Sequence, residues 1–448
     1  MGMVYLFIEV KKNANQDIFT DPSNDSLPDY KFAVDTWADD ESSNYRISAL
    51  GQNAHYAHMI QTRQFRTCVF SLTISGSTAR IMRWDRSGVL VTSAFDYKAN
   101  PLTLIEFVWR FAKANKEQQG FDRTANAIKS GEDRKSFVKA ITSHVRLQLA
   151  LGPDTADDVL RGAVDTHYCG GVVTRVEVGD YDVWVSRPLW VSHAIVGRCT
   201  AGYWGVRCDT KEVVFLKDVW RTNVETVQSE GAILTYLTEK GVSHIPALVG
   251  HGDVTFEGMG MFYICTIRSQ LLFPIDMSQQ VTRTNRFVEK PWVKSLHPDD
   301  PRLRMIIPRV HYRLVTTMAG YPLSTFKGSR ELFEATYHGF TGRKALSLLV
   351  YCSRCLFLAV VEAHEKAQTL HRDVSLPNII LHRSKDGEER AGYLVDWELG
   401  RNLNSMEPRD HVLTVRSISP SLSGRPNQFK GHSCFYVLQS TRRPETHA

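Results

Sequence analysis

The pattern best suited to chemistry lies in the run His371–Asn378, where Asn378 follows Asp373 by five residues. An apolar strand and a polar hairpin then lead to Asp396, at the end of a second apolar run. Phosphoryl transfer needs a carboxylate beside the attacking hydroxyl and oxygen ligands for magnesium on the phosphates. We therefore predict Asp373 as the catalytic carboxylate and Asn378 with Asp396 as the magnesium ligands. A chance tripeptide in a surface turn is the competing interpretation, and the second aspartate argues against it.

A lysine and a glutamate upstream complete the set that a nucleotide would need. Lys217 ends an apolar strand, and Glu230 lies in a predicted helix over residues 225–238. A strand lysine held by a helix glutamate can bind the α- and β-phosphates of a nucleotide. Taken alone, both residues would more often be exposed, but their position upstream of Asp373 favours the functional interpretation. Glu225 is the rival partner for Lys217.

Gly197 and Gly202 enclose a short segment between two strand-like runs. They keep the first and third glycines of a G-x-G-x-x-G loop, whose backbone N–H groups bind phosphate oxygens, but Cys199 stands at the second position. A side chain there limits how closely a phosphate can approach. The segment fits an ordinary turn as well as a nucleotide loop, and the order of loop, lysine, glutamate and catalytic loop favours the nucleotide loop.

The elements that must position these residues follow a simple order. From residue 175 short strands dominate, and from residue 346 helices do. This order predicts an α+β chain with a two-lobed fold whose first lobe is rich in strands. A charged, helix-prone segment over residues 122–165 is predicted to link it to a separate N-terminal unit. That unit is predicted from strands 67–74, 78–84 and 89–95 and helices 49–64 and 102–114.

These motifs resemble those of the fungal-type protein kinases, a divergent branch of the protein-kinase-like fold. The resemblance covers about residues 45–410, and its most specific part is the catalytic-loop motif. The matching segments are Arg66–Ser71, Ala79–Gly88, Phe107–Phe111, Val214–Arg221, His371–Ser375 and Val395–Glu398.

The resemblance implies a phosphotransferase that moves the γ-phosphoryl group of ATP, with Mg²⁺, to a Ser/Thr hydroxyl. It also implies an adenine-binding hinge at residues 316–320, after the strand-like run 312–315. The residues expected to bind the nucleotide are Gly197, Gly202, Lys217, Thr317 and Met318. The roles of Asp373, Lys217 and Glu230 in catalysis and of Asn378 and Asp396 at the metal agree with those argued above.

The predicted domains follow from the resemblance and from composition. They are an N-terminal α/β domain over residues 1–165 with a disordered-like loop at 13–44, a protein-kinase-like domain over 175–410, and a basic, disordered tail over 411–448. Within the kinase-like domain we expect a β-rich lobe over about 175–320 and a helical lobe over about 330–410.

Three features depart from the pattern of the family. Ser375 stands where most protein kinases have a lysine that contacts the transferred phosphate, and Glu398 replaces the glycine of the Asp-Phe-Gly motif. Only 52 residues follow Asp396, so we predict a truncated helical lobe without the helices that bind a peptide substrate. Two alternatives therefore stay open: a catalytically impaired pseudokinase that acts as an interaction module, and a small-molecule phosphotransferase.

Composition excludes several classes of protein. With 43% hydrophobic and 23% charged residues among 448, neither wholesale disorder nor a small disulfide-stapled module fits. The net charge is +6, but residues 401–448 alone hold seven Lys/Arg against three Asp/Glu, so no basic face for nucleic acid is predicted. The N-terminus lacks a signal-peptide pattern, and no apolar run is long enough to cross a membrane. We expect an intracellular protein, cytoplasmic or nuclear, whose acceptor and oligomeric state the sequence leaves unknown.

Three weaker patterns have simpler interpretations. The eight cysteines lack a framework spacing and are predicted to be reduced thiols, with Cys352 and Cys355 buried in a helix. Glu9 and Lys11 resemble a nuclease metal pair, but no acidic residue precedes them, so we expect alternating charges on an edge strand. The pair Asp85–Arg86 is predicted to be a turn with a local ion pair.

Overall fold

The computed structural model describes residues 3–21, 41–223, 227–255, 279–290, 306–332, 354–385, 389–404 and 437–440. The helices are α1 Glu41–Arg63, α2 Leu102–Lys113, α3 Gly131–Leu149, α4 Asp157–Asp165, α5 Glu230–Glu239 and α6 Arg354–Ala367. The strands of the first half are β1 Leu6–Lys11, β2 Val69–Ser75, β3 Thr78–Asp85, β4 Gly88–Thr92, β5 Phe95–Asp96, β6 Ala125–Ala127, β7 Thr174–Val178, β8 Tyr181–Val185, β9 Pro188–Val191, β10 Ala201–Arg207 and β11 Val213–Thr222. The remaining strands are β12 Leu248–Asp253, β13 Arg309–Thr316, β14 Tyr321–Pro322, β15 Thr369–Leu370, β16 Ile379–His382, β17 Ala391–Leu394, β18 Arg401–Asn402 and β19 Val437–Ser440. This mixture confirms the α+β class, while the two-lobed layout and the truncation remain predictions.

The first sheet has the strand order β1-β2-β3-β4-β19, with β5 against β3. Strands β2 and β3 form the predicted hairpin, and Gly76 in its turn has a φ of 63°, which residues with a Cβ rarely adopt. Helix α1 begins earlier than predicted and shares an apolar core with the sheet, which includes Ala57 and Trp84. Glu9 and Lys11 lie on the edge strand β1, where their side chains form an ion pair at 2.7 Å. The edge-strand interpretation of these two charges is therefore confirmed.

The second sheet has the order β12-β13-β11-β10-β8-β7-β6, with β9 against β10. The sequence predicts a link over residues 122–165, but the structure places this segment on the second sheet. Strand β6 pairs with β7, and Phe137, Ile141 and Val145 of α3 share a core with Trp204 of β10. The physical reason is that these three residues form an apolar stripe at helical spacing, which requires a surface to cover it.

A small sheet of order β14-β16-β17 and the pair β15–β18 follow. Residues 317–320 connect β13 of the second sheet to β14 of the small one. Ala359 and Ala363 of α6 share a core with Leu234 of α5 and with Trp397. Helix α5 is therefore packed against the segment that carries the Asp396 motif.

Asp122 lies where the chain passes from the N-terminal unit to the second sheet, since its N–H donates to the Phe65 carbonyl at 2.9 Å. The Asp122 carboxylate accepts a hydrogen bond from Arg313 Nη2 at 2.5 Å, and both side chains are almost fully buried. The sequence predicts an ion pair within Asp85–Arg86, but the partner of Asp85 is Arg83, whose Nη1 lies 2.7 Å away. The prediction was wrong because residues two apart on a strand share a face, whereas adjacent residues do not.

One part of the tail forms a strand. The sequence predicts a disordered tail over residues 411–448, but β19 within it pairs in parallel with β4. Without β19, strand β4 would be an edge strand with backbone N–H and C=O groups that lack partners. Val437–Ser440 provides hydrogen-bond partners for these groups. The prediction is therefore wrong for these four residues, and the rest of the tail lies outside the described residues.

Two predictions from composition can also be compared with the structure. The thiols of Cys68, Cys169, Cys199 and Cys208 are free, as expected; Cys352 lies outside the described residues. Among the helices of the described ranges, none has the length and apolar character that a membrane crossing requires.

Candidate active site

Lys217, Glu230 and Asp396 meet at one point although they lie far apart in the sequence. The Lys217 Nζ atom lies 2.6 Å from Glu230 Oε2 and 2.6 Å from Asp396 Oδ1. A third carboxylate oxygen, Glu398 Oε2, lies 3.5 Å from the same nitrogen. The Glu230 side chain is 6% exposed and that of Asp396 is 34% exposed, so the cluster opens to solvent on the Asp396 side.

The second sheet fixes the position of Lys217. Strand β11 lies between β10 and β13, and Lys217 is paired with Gly202 on β10. Because strand side chains alternate, Leu216 enters an apolar core on one face and Lys217 emerges on the other. Gly202 itself lies inside β10, where a Cβ would come 2.8 Å from the Trp190 ring. The close approach of this tryptophan is a packing reason for glycine at that position.

Helix α5 presents Glu230 at its first position. It begins later than predicted because Ser229 caps it, its side chain accepting a backbone hydrogen bond from the first turn. The next residue, Gly231, leaves room for the His251 ring, which a Cβ would approach to 2.1 Å. The rival partner Glu225 lies outside the described residues, so Glu230 is the partner that the structure gives to Lys217.

The turn at Asp396 is tied to the same glutamate. Asp396 has φ 64° and ψ 58°, a left-handed conformation that costs about 1–2 kcal/mol for a residue with a Cβ. The N–H of Trp397 donates to Glu230 Oε1 at 3.1 Å, so that Glu230 bridges Lys217 and this turn. The Trp397 side chain is buried, and its Nε1 donates to the Leu394 carbonyl at 2.9 Å. These contacts hold the strained turn in place.

Burial and the charges of neighbouring groups shift the pKa values of Lys217, Glu230 and Asp396. Burial alone would lower the pKa of Lys217, but the three neighbouring carboxylates raise it above its ordinary value, so the amine stays charged. Burial and the other carboxylates raise the pKa of Glu230 in spite of Lys217. For Asp396 the effect of burial is outweighed by Lys217 and Arg198, which lower its pKa. The difference follows from exposure, because Glu230 is the more deeply buried of the two.

The loop 371–378 holds Asp373 beside Asn378. The Asn378 Nδ2 atom donates to the backbone oxygen of Asp373 at 2.9 Å and to its Oδ2 at 3.2 Å. His371 Nδ1 accepts from the N–H of Asp373, so its Nε2 carries the proton and donates to the Val395 carbonyl at 2.9 Å. Burial lowers the pKa of His371, which keeps the ring neutral. Asp373 itself is exposed and open to an acceptor.

The donor atoms near Asp396 suit a hard cation. Carboxylate oxygens of Glu230, Asp396 and Glu398 lie within 4.8 Å of one another. The amide nitrogen of Asn378 faces Asp373, and the backbone oxygen of Asn378 accepts from the N–H of Val395 at 2.9 Å, next to Asp396. Magnesium prefers carboxylate and amide oxygens. Of the predicted ligand pair, Asp396 belongs to this carboxylate group, and Asn378 offers an amide oxygen, so both have the donor type that this ion prefers, while the pairing itself stays a prediction.

The predicted phosphate loop connects β9 to β10 and carries Gly197. Gly197 has a φ of 113°, which glycine adopts most readily. Cys199 is also left-handed, with a φ of 47°, and its buried thiol donates to the Ala194 carbonyl at 3.3 Å. There it lines a small cavity with Gln61 and Arg86 of the N-terminal unit. The cysteine side chain is thus directed to the interface with the N-terminal unit.

The predicted hinge is the segment that connects the second sheet to the small sheet. Thr317 is exposed, and its N–H donates to the Ala247 carbonyl at 3.0 Å; Met318 is half-buried. His144 of α3 lies with its Nε2 atom 2.6 Å from the Ala319 carbonyl. The segment is therefore supported by α3, which sequence analysis assigned to a link.

The chain belongs to the fungal protein kinase family, since the sequence model of that family matches residues 30–439, most of the chain. No curated protein matches the chain by sequence. Membership implies a kinase-like phosphotransferase that uses ATP and a divalent metal.

Sequence reasoning gave no role to one residue of the site. Arg198, next to Gly197, donates through Nη1 to Glu398 Oε2 at 2.8 Å. The sequence does contain a hint of this contact, because Arg198 is a cation in the predicted phosphate loop and Glu398 is a carboxylate at a position where the family pattern has glycine. Nothing in the sequence states that these two loops meet, because 200 residues separate them.

Proposed function

We propose that the protein transfers the γ-phosphoryl group of Mg-ATP to a Ser/Thr hydroxyl. The observation that carries this proposal is the position of Lys217 Nζ, 2.6 Å from both Glu230 and Asp396. In protein kinases the lysine–glutamate pair and the metal-binding aspartate must both be in place for transfer. Membership of the fungal protein kinase family supports the same class of reaction.

Each residue of the site has a part in binding the nucleotide. Lys217, held by Glu230, binds the α- and β-phosphates, and the backbone around Gly197 covers them. Thr317 and Met318 lie against the adenine at the connection between the sheets. Asn378 and Asp396 would hold Mg²⁺, which when bound neutralises charge on the phosphates.

Asp373 acts on the acceptor. The Asn378 amide holds its Oδ2 atom at 3.2 Å, which fixes the orientation of the carboxylate. An exposed, oriented carboxylate can accept the hydroxyl proton as the acceptor oxygen attacks the γ-phosphorus and the bond from that phosphorus to the bridging oxygen breaks, releasing ADP. Such proton transfer contributes typically 10²–10⁴-fold to the rate. His371 positions the loop through its hydrogen bond to the carbonyl of Val395, which lies between β17 and Asp396.

Two substitutions test the proposal because they separate binding from transfer. Asp396→Asn is expected to abolish the dependence of ATP affinity on Mg²⁺, measured by calorimetric titration with and without the ion. Asp373→Asn is expected to keep ATP affinity within about twofold and to slow phosphate transfer about 10²–10⁴-fold. Asp180→Asn, in an exposed turn between β7 and β8, is the matched control.

Radiolabelled ATP with a peptide pool and a metabolite pool identifies the acceptor. Label in Ser/Thr peptides supports the proposal. Label in metabolites alone would select a small-molecule phosphotransferase, and ATP binding without transfer to either pool would select a pseudokinase. Equal Mg²⁺ dependence in Asp396→Asn and the wild type would contradict the metal assignment.

A further inference from the structure

An ion pair between Arg198 and Glu398 lies beside the candidate nucleotide site. Arg198 extends from the loop between β9 and β10, and its guanidinium lies 2.8 Å from the Glu398 carboxylate in the turn after Asp396. The Arg198 side chain is 47% exposed and that of Glu398 is 16% exposed, so the pair lies where the cluster meets solvent. Glu398 also lies 3.5 Å from Lys217, which places the pair directly beside the buried lysine and its carboxylates.

The backbone that carries Arg198 is held on both sides. The N–H of Gly197 donates to the Arg86 carbonyl of the N-terminal unit at 2.9 Å. The carbonyl of Arg198 accepts from the N–H of Trp220 at 2.8 Å, and Trp220 lies on the same strand as Lys217. Since the backbone is fixed relative to Lys217, a change of partner at Arg198 requires a movement of its side chain only.

The chemistry of the two groups favours such a change. A guanidinium binds phosphate oxygens with two parallel N–H donors, as it binds a carboxylate. The position at which most protein kinases have a lysine for the transferred phosphate is Ser375, which is uncharged. A triphosphate that enters beside Lys217 therefore lacks one expected cation. Arg198 of the phosphate loop can supply it, because its partner Glu398 lies 3.5 Å from Lys217.

We propose that Arg198 is a phosphate-responsive latch, paired with Glu398 in the nucleotide-free protein and transferred to the phosphates when a nucleoside triphosphate binds. This inference rests on the proposed function, because it takes the Lys217 site as the place where the triphosphate binds. In this proposal Arg198 positions the phosphates of the bound nucleotide. Glu398 holds the Arg198 side chain as long as no nucleotide is bound.

The test compares the affinities of ATP and adenosine, both measured by calorimetric titration without Mg²⁺ on the full chain. Arg198→Gln is expected to weaken ATP about 10-fold or more, since hydrogen bonds to charged groups contribute about 1.5–3 kcal/mol, and to leave adenosine within about twofold. Arg198→Lys, which keeps the charge but not the paired donors, is expected to give an intermediate loss. Arg207→Gln, which removes the Arg207–Asp209 pair from the far end of β10, is the matched control and is expected to change neither affinity.

Glu398→Gln tests the retaining half of the latch. It is expected to strengthen ATP about 2–5-fold, because a partly exposed ion pair contributes about 0.2–1 kcal/mol, and to have no effect in the Arg198→Gln background. Ion-pair coupling of this kind is what a double-mutant cycle measures. Equal strengthening in both backgrounds would indicate simple repulsion by Glu398 and would overturn the latch.

The remaining outcomes separate the two proposals. If the wild type binds ATP but Arg198→Gln leaves the ratio of ATP to adenosine affinity unchanged, the latch is wrong and the proposed function stands. If the wild type binds neither ligand, both are wrong. Circular dichroism of each variant shows whether a loss of affinity reflects a loss of folding, and the Arg198→Lys variant keeps the test decisive if Arg198→Gln does not fold.

Discussion

Replacing Asp122 by Asn removes the negative charge that pairs with the buried Arg313 of β13. The Asp122 carboxylate accepts hydrogen bonds from Arg313 at 2.5 Å, from Gln280 at 2.7 Å and from the N–H of Thr124 at 2.9 Å. Arg313 is 1% exposed, and its nearest other carboxylate oxygen, on Asp218, is 3.9 Å away. The substitution therefore leaves a buried guanidinium without its close counter-charge.

The magnitude follows from the pKa of Asp122. Burial alone would raise this pKa, but Arg313 and His311, with the hydrogen bonds from Thr124 and Gln280, lower it from 3.8 to about 2. A depressed carboxyl pKa stabilises the folded state above the unfolded pKa, and this stabilisation is lost as the pH falls toward the folded pKa. At about 1.4 kcal/mol per pH unit, the contribution is about 2.5 kcal/mol at pH 7 and roughly half of that at pH 3.

Urea unfolding at pH 7 and pH 3, followed by circular dichroism, measures both values. Asp122→Asn is expected to lower the free energy of unfolding by about 3 kcal/mol at pH 7, since breaking a buried pair costs about 3–5 kcal/mol and Arg313 keeps other hydrogen bonds. The difference from the wild type is expected to shrink by about 1 kcal/mol at pH 3. The control Asp180→Asn is expected to show neither effect. A difference that is the same at both pH values would refute the reasoning.

Two further predictions concern the site. Glu230→Gln keeps a hydrogen-bond acceptor for Lys217 but removes one charge from a buried pair. It is expected to weaken the affinity for ATP about 10-fold, a loss of about 1.4 kcal/mol in binding free energy measured by calorimetric titration. An unchanged affinity would mean that Glu230 does not hold the lysine. Gly231→Ala forces a Cβ to within 2.1 Å of the His251 ring and is expected to lower the free energy of unfolding by about 1–3 kcal/mol. Its matched control is Gly162→Ala in α4, where the added Cβ would meet no atom within 4 Å. This control is expected to raise the free energy of unfolding by about 0.4–1 kcal/mol. Equal urea midpoints for the two variants would contradict the packing argument.

The part of the site that depends on local sequence was predictable. Asp373 and Asn378 lie in one short loop, so their spacing alone brings the amide to the carboxylate, 3.2 Å apart in the structure. The hairpin β2–β3 and the edge strand β1 were predictable for the same reason, because alternation and a glycine turn act over a few residues.

Where several residues of the same type could act, the choice was made by tertiary structure. The sequence offered both Glu225 and Glu230 to Lys217, and the cap at Ser229 starts α5 so that Glu230 faces the lysine. Likewise the segment of α3 was predicted only as part of a charged, helix-prone link, and its packing against Trp204 on β10 was not predicted. Periodicity shows that a face must be covered, whereas the covering element depends on packing across the whole chain.

The sequence by itself determined the residue types of the site, the order of its motifs and the class of chemistry that they allow. Only the tertiary structure decided which charges touch: Lys217 with both Glu230 and Asp396, and Arg198 with Glu398 across 200 residues. The physical reason is range. Backbone preferences and hydrogen bonds within a loop act between near neighbours, while an ion pair between distant segments exists only after the apolar cores have packed and brought those segments together.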